Sequence, residues 1–298
     1  CDALQHDHMP LQGKKVLVAE DTTSIAYALR QMLMGMGAEP CVVSSAERAL
    51  EILRDQGHGP WDMLILDSRL PGMSGLEVLR ALRSGETLAR PETLTIVYTA
   101  TASSEFVQTC EDMGADGVFL KPQSFAQLRR KLEKMVAAKN AETAGQTNTH
   151  GQQHPADLNK NAMPCPQKEN LSSRADANTA QSHACESAVW NRNAALEALD
   201  NDAEVFKSLV AVLAGELHER LAALDAALAD ADEELLRRTA HACKNSAGIM
   251  RLDQLRAAAT AAEVAETSHL PDAARALRKA MIEASLVLAA EQNQEQAD

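Results

Sequence analysis

Five short apolar runs, each followed by residues at helical spacing, constrain the first half of this chain more than any other feature. The runs fall at Lys15–Ala19, Pro40–Val43, Met63–Leu66, Leu94–Thr99 and Gly117–Leu120. Between them Ile25, Leu29, Met32, Leu33 and Met36 recur at three- and four-residue steps, as one helix face requires. Ala46, Ala49, Leu50 and Leu53 repeat the pattern, as do Leu76, Leu79 and Leu82. Strands alternating with helices predict a doubly wound, five-stranded parallel sheet of the α/β class. Ligands of such sheets bind outside the carboxyl ends of the strands.

Chemistry-bearing residues stand at those ends. Glu20 and Asp21 close the first run and Asp67 closes the third. Three carboxylates converging on one crevice repel one another, by roughly 4 kcal/mol per pair at about 4 Å and an effective dielectric near 20. A hard cation resolves this, and an oxygen-only donor set points to Mg²⁺. Thr99 ends the fourth run and Lys121 the fifth, followed by Pro122. An ammonium, a hydroxyl and a metal-binding carboxylate cluster suit a phosphoryl group, with Asp67 as the nucleophile, Lys121 neutralising charge and Thr99 donating a hydrogen bond.

The second half reads as helix throughout from about Ala188. Leu209, Val212, Leu213, Leu217, Leu221, Leu224 and Leu228 form one long stripe. Asp232-Glu233-Glu234 opens another helix, with acids suited to its dipole. Further helices are expected over about Asp253–Thr267 and Asp272–Gln292, separated by Pro271, giving an all-α bundle of four or five helices. At about 100° per residue, Glu234, Arg237, Arg238, Lys244, Asn245 and Gly248 lie within about 60° of His241. His241 is therefore expected on a polar, solvent-facing surface. Its cations would offset a phosphoryl charge, and a glycine would admit another surface.

Read with these spacings, the motifs Glu20-Asp21, Leu66-Asp67-Ser68-Arg69-Leu70-Pro71-Gly72-Met73-Ser74-Gly75, Thr99-Ala100 and Lys121-Pro122 resemble, in order, a response-regulator receiver domain. The resemblance implies a flavodoxin-like fold and a Mg²⁺ site of Glu20, Asp21, Asp67 and the Arg69 backbone carbonyl. It implies a phosphoryl group accepted on Asp67 from a phosphohistidine, and a cis Lys121-Pro122 bond. The family's usual aromatic three residues before the lysine is Val118 here, and Phe119 beside it is expected in the core. The run Arg237–Gly248 resembles histidine phosphotransfer (HPt) domains, whose motif is Ala-His-x-Leu-Lys-Gly, and implies that His241 is a phosphoacceptor. Cys243, Asn245 and Arg251 stand where that family has Leu, Gly and Gly.

The expected organisation is an upstream linker remnant at 1–12, a receiver at 13–139, a disordered linker at 140–187 and an HPt bundle at 188–298. The linker is polar, with Pro155, Pro164 and Pro166. As a flexible coil it would reach roughly 35–40 Å, which could let the two ends meet. His150, His154, His183, Cys165 and Cys185 lie in it without a compact zinc spacing. A net charge of −13 argues against nucleic acid as partner. No apolar stretch is long enough to span a membrane. Six scattered cysteines suit a reduced, cytoplasmic setting, including the cytoplasmic part of a membrane-bound sensor.

These features predict a two-component phosphorelay module. Its expected partners are an upstream histidine kinase and a downstream response regulator receiver. No ATP-binding motif is found, so the chain is expected to transfer phosphoryl groups rather than act as a kinase itself. The receiver–HPt order resembles the C-terminal part of hybrid sensor histidine kinases, and a first residue of Cys1 fits a fragment of one. The other reading is a non-catalytic interaction module with the receiver as a docking surface. An aspartate-nucleophile phosphatase is disfavoured because Arg69 stands where its second acid would be.

Overall fold

The computed structural model describes residues 9–58, 60–90, 92–100, 103–121, 125–146 and 189–295. The stretch 147–188, with its histidines and cysteines, lies outside the described residues, as do residues 1–8 and Pro122. Residues up to Ala137 and from Val189 onward form one compact unit.

The N-terminal half is a sheet domain. Its strands are β1 (Lys15–Ala19), β2 (Glu39–Val43), β3 (Met63–Asp67), β4 (Leu94–Thr99) and β5 (Gly117–Leu120), all parallel in the order β2-β1-β3-β4-β5. Five helices connect and close it: α1 (Thr23–Gly35), α2 (Ala46–Arg54), α3 (Gly75–Arg83), α4 (Ser104–Asp112) and α5 (Phe125–Gln146). Winding changes direction between β1 and β3, which opens a crevice beyond their carboxyl ends.

Period-two alternation builds two cores. Val16, Val18, Met63, Ile65, Ile96, Tyr98 and Phe119 face one side with α1 and α5. Leu17, Ala19, Leu64, Leu66 and Val97 face the other, with α2 and α3. Val118 packs on this second side, so it and Phe119 are on opposite faces.

Two boundaries differ from the sequence reading. Residues 9–12 are not a detached remnant. Leu11 is buried and its N–H donates to the Met36 carbonyl at 3.0 Å, so this segment packs on the end of α1. At the other edge, α5 continues to Gln146, past the expected limit at Lys139.

The C-terminal half is a bundle of α6 (Arg192–Ala198), α7 (Ala203–Asp230), α8 (Glu233–Ile249), α9 (Asp253–Val264) and α10 (Leu270–Glu295). Asp202 and Asp232 cap α7 and α8 through their side chains. Pro271 does not precede the last helix but lies in its first turn, where a missing N–H costs nothing. The bundle's apolar interior is continuous with the α1/α5 side of the sheet domain.

Candidate functional site

At the crevice, Glu20 follows β1 directly and Asp67 is the last residue of β3. Glu20, Asp21 and Asp67 each offer a carboxylate oxygen, and these oxygens lie within 4.8 Å of one another. Lys121, just past β5, reaches across the sheet end. Its Nζ donates to Glu20 Oε2 at 2.5 Å and to Asp67 Oδ2 at 2.7 Å. All three side chains are almost wholly buried, while Asp21 is the most open member of the cluster. The Tyr98 ring lies under the ammonium, 5.0 Å from its centroid. The Arg69 N–H donates to Asp67 Oδ1 at 2.9 Å, and the Ser68 hydroxyl donates to Thr99 Oγ1 at 2.7 Å. Gly75 opens α3 directly against this turn, and a Cβ there would collide with the Asp67 carbonyl oxygen.

Three carboxylates face one ammonium here, and the imbalance shows in the acidities of Glu20 and Asp21. Burial pushes Glu20 up to about 7, with Asp67 and Asp21 adding to the shift and Lys121 opposing it. Burial likewise raises Asp21, followed by Asp67, against the pull of Lys121, Arg220 and His241. For Lys121 burial disfavours the charge, but Glu20 and Asp67 outweigh it and hold the ammonium firmly protonated. A compact, oxygen-only cluster with surplus negative charge is the donor chemistry of a hard divalent cation.

His241 lies on α8. It is not fully solvent-facing: its side chain keeps 15% of its accessible surface. Its Nδ1 is 2.6 Å from Glu263 Oε1 on α9, and Lys244 is paired with the other Glu263 oxygen. The His241 hydrogen bond holds Glu263 far down, at about 2, against its burial, with Lys244 assisting. An ionised carboxylate only accepts, so Nδ1 carries the proton and the Nε2 lone pair is the nucleophilic one.

The two halves meet at this point. Arg69, two residues after Asp67, extends its guanidinium to Glu263 Oε1 at 3.2 Å and lies 3.5 Å from His241 Nδ1. Because Nδ1 and the guanidinium are both donors, Glu263 is Arg69's true partner. Arg69 keeps over half its surface exposed, so this ion pair contributes at most about 1 kcal/mol. It orients groups; the continuous apolar cluster supplies the cohesion. Deeper in the contact, the Ser24 N–H donates to Glu216 Oε2 at 3.3 Å, and the Ser24 hydroxyl donates to Ser246 Oγ at 2.9 Å.

The residues expected around His241 separate into two groups. Lys244 stays beside it through Glu263, and Arg238 is exposed. Arg237 instead donates to the Glu263 and Ala265 carbonyls at 2.9 and 2.8 Å, tying down the end of α9. Asn245 and Gly248 are buried, contrary to their expected place on the bundle surface. The difference lies in the position of α8, which packs on α7, α9, α10 and also α1, so part of its polar face is covered while Glu234 and Arg238 stay exposed.

Sequence reasoning missed Glu263 and Glu216. Glu263 is distant from His241 along the chain, and no spacing rule links separate helices. Glu216 did leave a signal: seven residues after Leu209, it falls on the apolar stripe of α7, where an acid needs a partner.

Comparison with known proteins gives two family matches. Residues 16–133 match the response regulator receiver domain and residues 208–287 match the Hpt domain. Among curated relatives, the virulence sensor protein BvgS of Bordetella pertussis is 31% identical over 131 residues, covering 43% of this chain and 10% of that protein. The sensory/regulatory protein RpfC of Xanthomonas campestris pv. campestris is 27% identical over 128 residues, 43% of this chain and 17% of that protein. The chain thus spans less than a fifth of either. The chemotaxis protein CheY of Pseudomonas aeruginosa is 28% identical over 127 residues, 42% of this chain and 98% of CheY. Similar solved structures include a CheY-like receiver domain protein from Methanospirillum hungatei, 26% identical, covering 44% of this chain and 99% of that one, with a TM-score of 0.39. Taken with the doubly wound sheet and the helical bundle, the two family matches make this chain a two-component phosphorelay protein, a response regulator receiver domain followed by an Hpt domain.

Proposed function

We propose that this chain passes a phosphoryl group between Asp67 and His241 within one molecule. The observation that carries the reading is the approach of His241 to the acidic crevice, marked by Arg69 between Asp67 and the His241–Glu263 pair. In this reading a histidine kinase's phosphohistidine loads Asp67, and His241 delivers the group to the receiver of a separate response regulator. The relatives whose names mark them as sensors suggest that the chain works as part of a hybrid sensor histidine kinase.

Receiver domains bind Mg²⁺ through an acidic pocket, and Glu20, Asp21, Asp67 and the Arg69 carbonyl would hold it here. Bound there, the ion would offset charge on the phosphoryl oxygens. The chain's own groups do the rest. Asp67 Oδ attacks phosphorus and the donor imidazole leaves. In the return step the His241 Nε2 lone pair forms the P–N bond as the Asp67 P–O bond breaks, and the carboxylate recovers its electron pair. Glu263 keeps the Nδ1 proton in place throughout. Lys121 offers its ammonium and Thr99 its hydroxyl to the transferring oxygens. Catalysis is positioning and charge neutralisation.

The test is labelling of the full chain from radioactive acetyl phosphate with Mg²⁺. Wild type is expected to carry acid-labile histidine phosphate, His241→Gln to stop at acid-stable aspartyl phosphate, and Asp67→Asn to take almost none. Label reaching His241 without Asp67 would refute internal transfer. Mg²⁺ is expected to raise the wild-type melting temperature and to lose that effect in Asp21→Ala, and an equal rise in both would remove Asp21 from the pocket.

A further inference from the structure

Lys121 has to reach across a strand. It follows β5, but the carboxylates it pairs with stand on β3 and just past β1, and β4 lies between. The β4 residue directly across from Asp67 in the register is Tyr98, which in turn stands opposite Phe119 of β5. Residues paired in this sheet share a face: Ile65 and Ile96 pack on the α1/α5 side, Leu66 and Val97 on the other. Alternation along each strand then puts Asp67, Tyr98 and Phe119 on the α1/α5 side. Lys121, two residues after Phe119, returns to that side. Its ammonium lies over the Tyr98 ring, 5.0 Å from the centroid. Tyr98 is 1% exposed and the Lys121 side chain 2%, so water has almost no access to the pair.

We propose that Tyr98 is a positioning residue for phosphoryl acceptance: its ring holds the Lys121 ammonium at the crevice while the carboxylates that also hold it change partners. Glu20 and Asp67 are not constant partners of Lys121. Both belong to the donor set of a divalent cation, and Asp67 gives up its carboxylate charge when it takes a phosphoryl group. The face of Tyr98 does neither. Its pull on a cation comes from the ring quadrupole and is strongest where water is excluded, as it is here. Lysine carries its charge on a flexible four-carbon stem, so an ammonium whose partners are being reassigned needs a fixed contact to keep its place. Leucine at this position would occupy space without attracting the charge. The role belongs to the ring and not to the tyrosine hydroxyl. The inference rests on Asp67 being the phosphoacceptor and is independent of transfer to His241.

Two measurements on the full chain test it. The first needs neither metal nor phosphoryl donor. In proton–carbon NMR spectra the ε-methylene protons of Lys121 are expected upfield of their ordinary position, shifted by the ring current. They should stay there in Tyr98→Phe and move back in Tyr98→Leu. An ordinary shift in wild type overturns the proposal, whether or not Asp67 takes label. The second measurement is the initial rate of Asp67 labelling from acetyl phosphate with Mg²⁺, in the His241→Gln chain so that onward transfer plays no part. Tyr98→Phe is expected to stay near the parent rate. Phenylalanines bearing one, two or three fluorines, placed at Tyr98, keep the ring's shape while draining its quadrupole. Labelling is expected to slow step by step along that series, by about tenfold at three fluorines, within the range of a desolvated cation–π contact. The rise in melting temperature with Mg²⁺ is expected to persist throughout. A rate that stays flat across the series overturns the proposal, because a ring that merely fills the core would leave the rate unmoved. So does a loss in Tyr98→Phe as large as that at three fluorines. An upfield lysine signal in a chain whose Asp67 takes no label upholds the ring's hold on Lys121 and sinks the reading of Asp67 instead.

Discussion

Arg251 holds a left-handed backbone, φ 55°, at the turn from α8 to α9. The Leu252 N–H bonds back to the Ala247 carbonyl at 3.0 Å, and the Trp190 ring N–H takes the Met250 carbonyl at 2.7 Å. This closure needs one left-handed residue, and a non-glycine side chain there costs roughly 1–2 kcal/mol. Glycine recovers part of that and loses some through chain entropy. Arg251→Gly is expected to stabilise the protein by roughly 0.5–1 kcal/mol, read as a higher denaturant midpoint at unchanged slope. A lower midpoint would mean that the arginine side chain supplies something the turn alone does not require. Cys243 makes the complementary case in the core. It is fully buried, its sulfur 3.9 Å from that of Met281, and burial pushes its thiol up to about 11. The native state keeps this proton after the unfolded chain has lost it near pH 9. That contribution to stability is present below pH 9 and declines as pH rises toward 11. Alkylation at pH 8.5 is expected to modify Cys41, which is partly exposed, and to spare Cys243. Relative to Cys243→Val, wild type should lose stability between pH 9 and 11.

Elements assemble the site through a few backbone details. Gly75 is the tightest, because α3 starts so close to β3 that a methyl group would strike the Asp67 carbonyl. Gly75→Ala is expected to destabilise by about 1–3 kcal/mol, the usual range for overpacking, and to slow labelling of Asp67 by displacing it. A variant that keeps both melting temperature and labelling would show that the turn can yield. This crowding was not legible beforehand, since no spacing rule measures the gap between a strand end and the next helix. Much else was. The continuous apolar runs of β1, β3 and β4 placed each strand, and the acids and Lys121 fell at strand ends because parallel strands share one direction. Pro271 misled because a proline reads as a break, whereas the first turn of a helix accepts one. Asn245 and Gly248 misled because a helical wheel locates a polar face but not what covers it.

At the scale of the whole molecule, docking of receiver on Hpt was the least legible feature. A long tether permits contact without specifying it. What specifies it is distributed between helices: the apolar continuity from α1 into the bundle, Ser24 against Glu216 and Ser246, and Arg69 against Glu263. If the docked arrangement is the working one, transfer from Asp67 to His241 is first order. Tethering then supplies an effective concentration of about a millimolar, far above a dilute assay. With the chain loaded on Asp67 and the phosphodonor removed, the rate constant for label appearing on His241 should stay constant across a wide dilution series. In a mixture of His241→Gln donor and Asp67→Asn acceptor chains, the initial rate per loaded donor should instead fall in proportion to acceptor concentration. A wild-type rate constant that also falls on dilution would mean that phosphoryl groups travel between molecules. The contact between the two domains would then serve to occupy the Hpt face and not to load it.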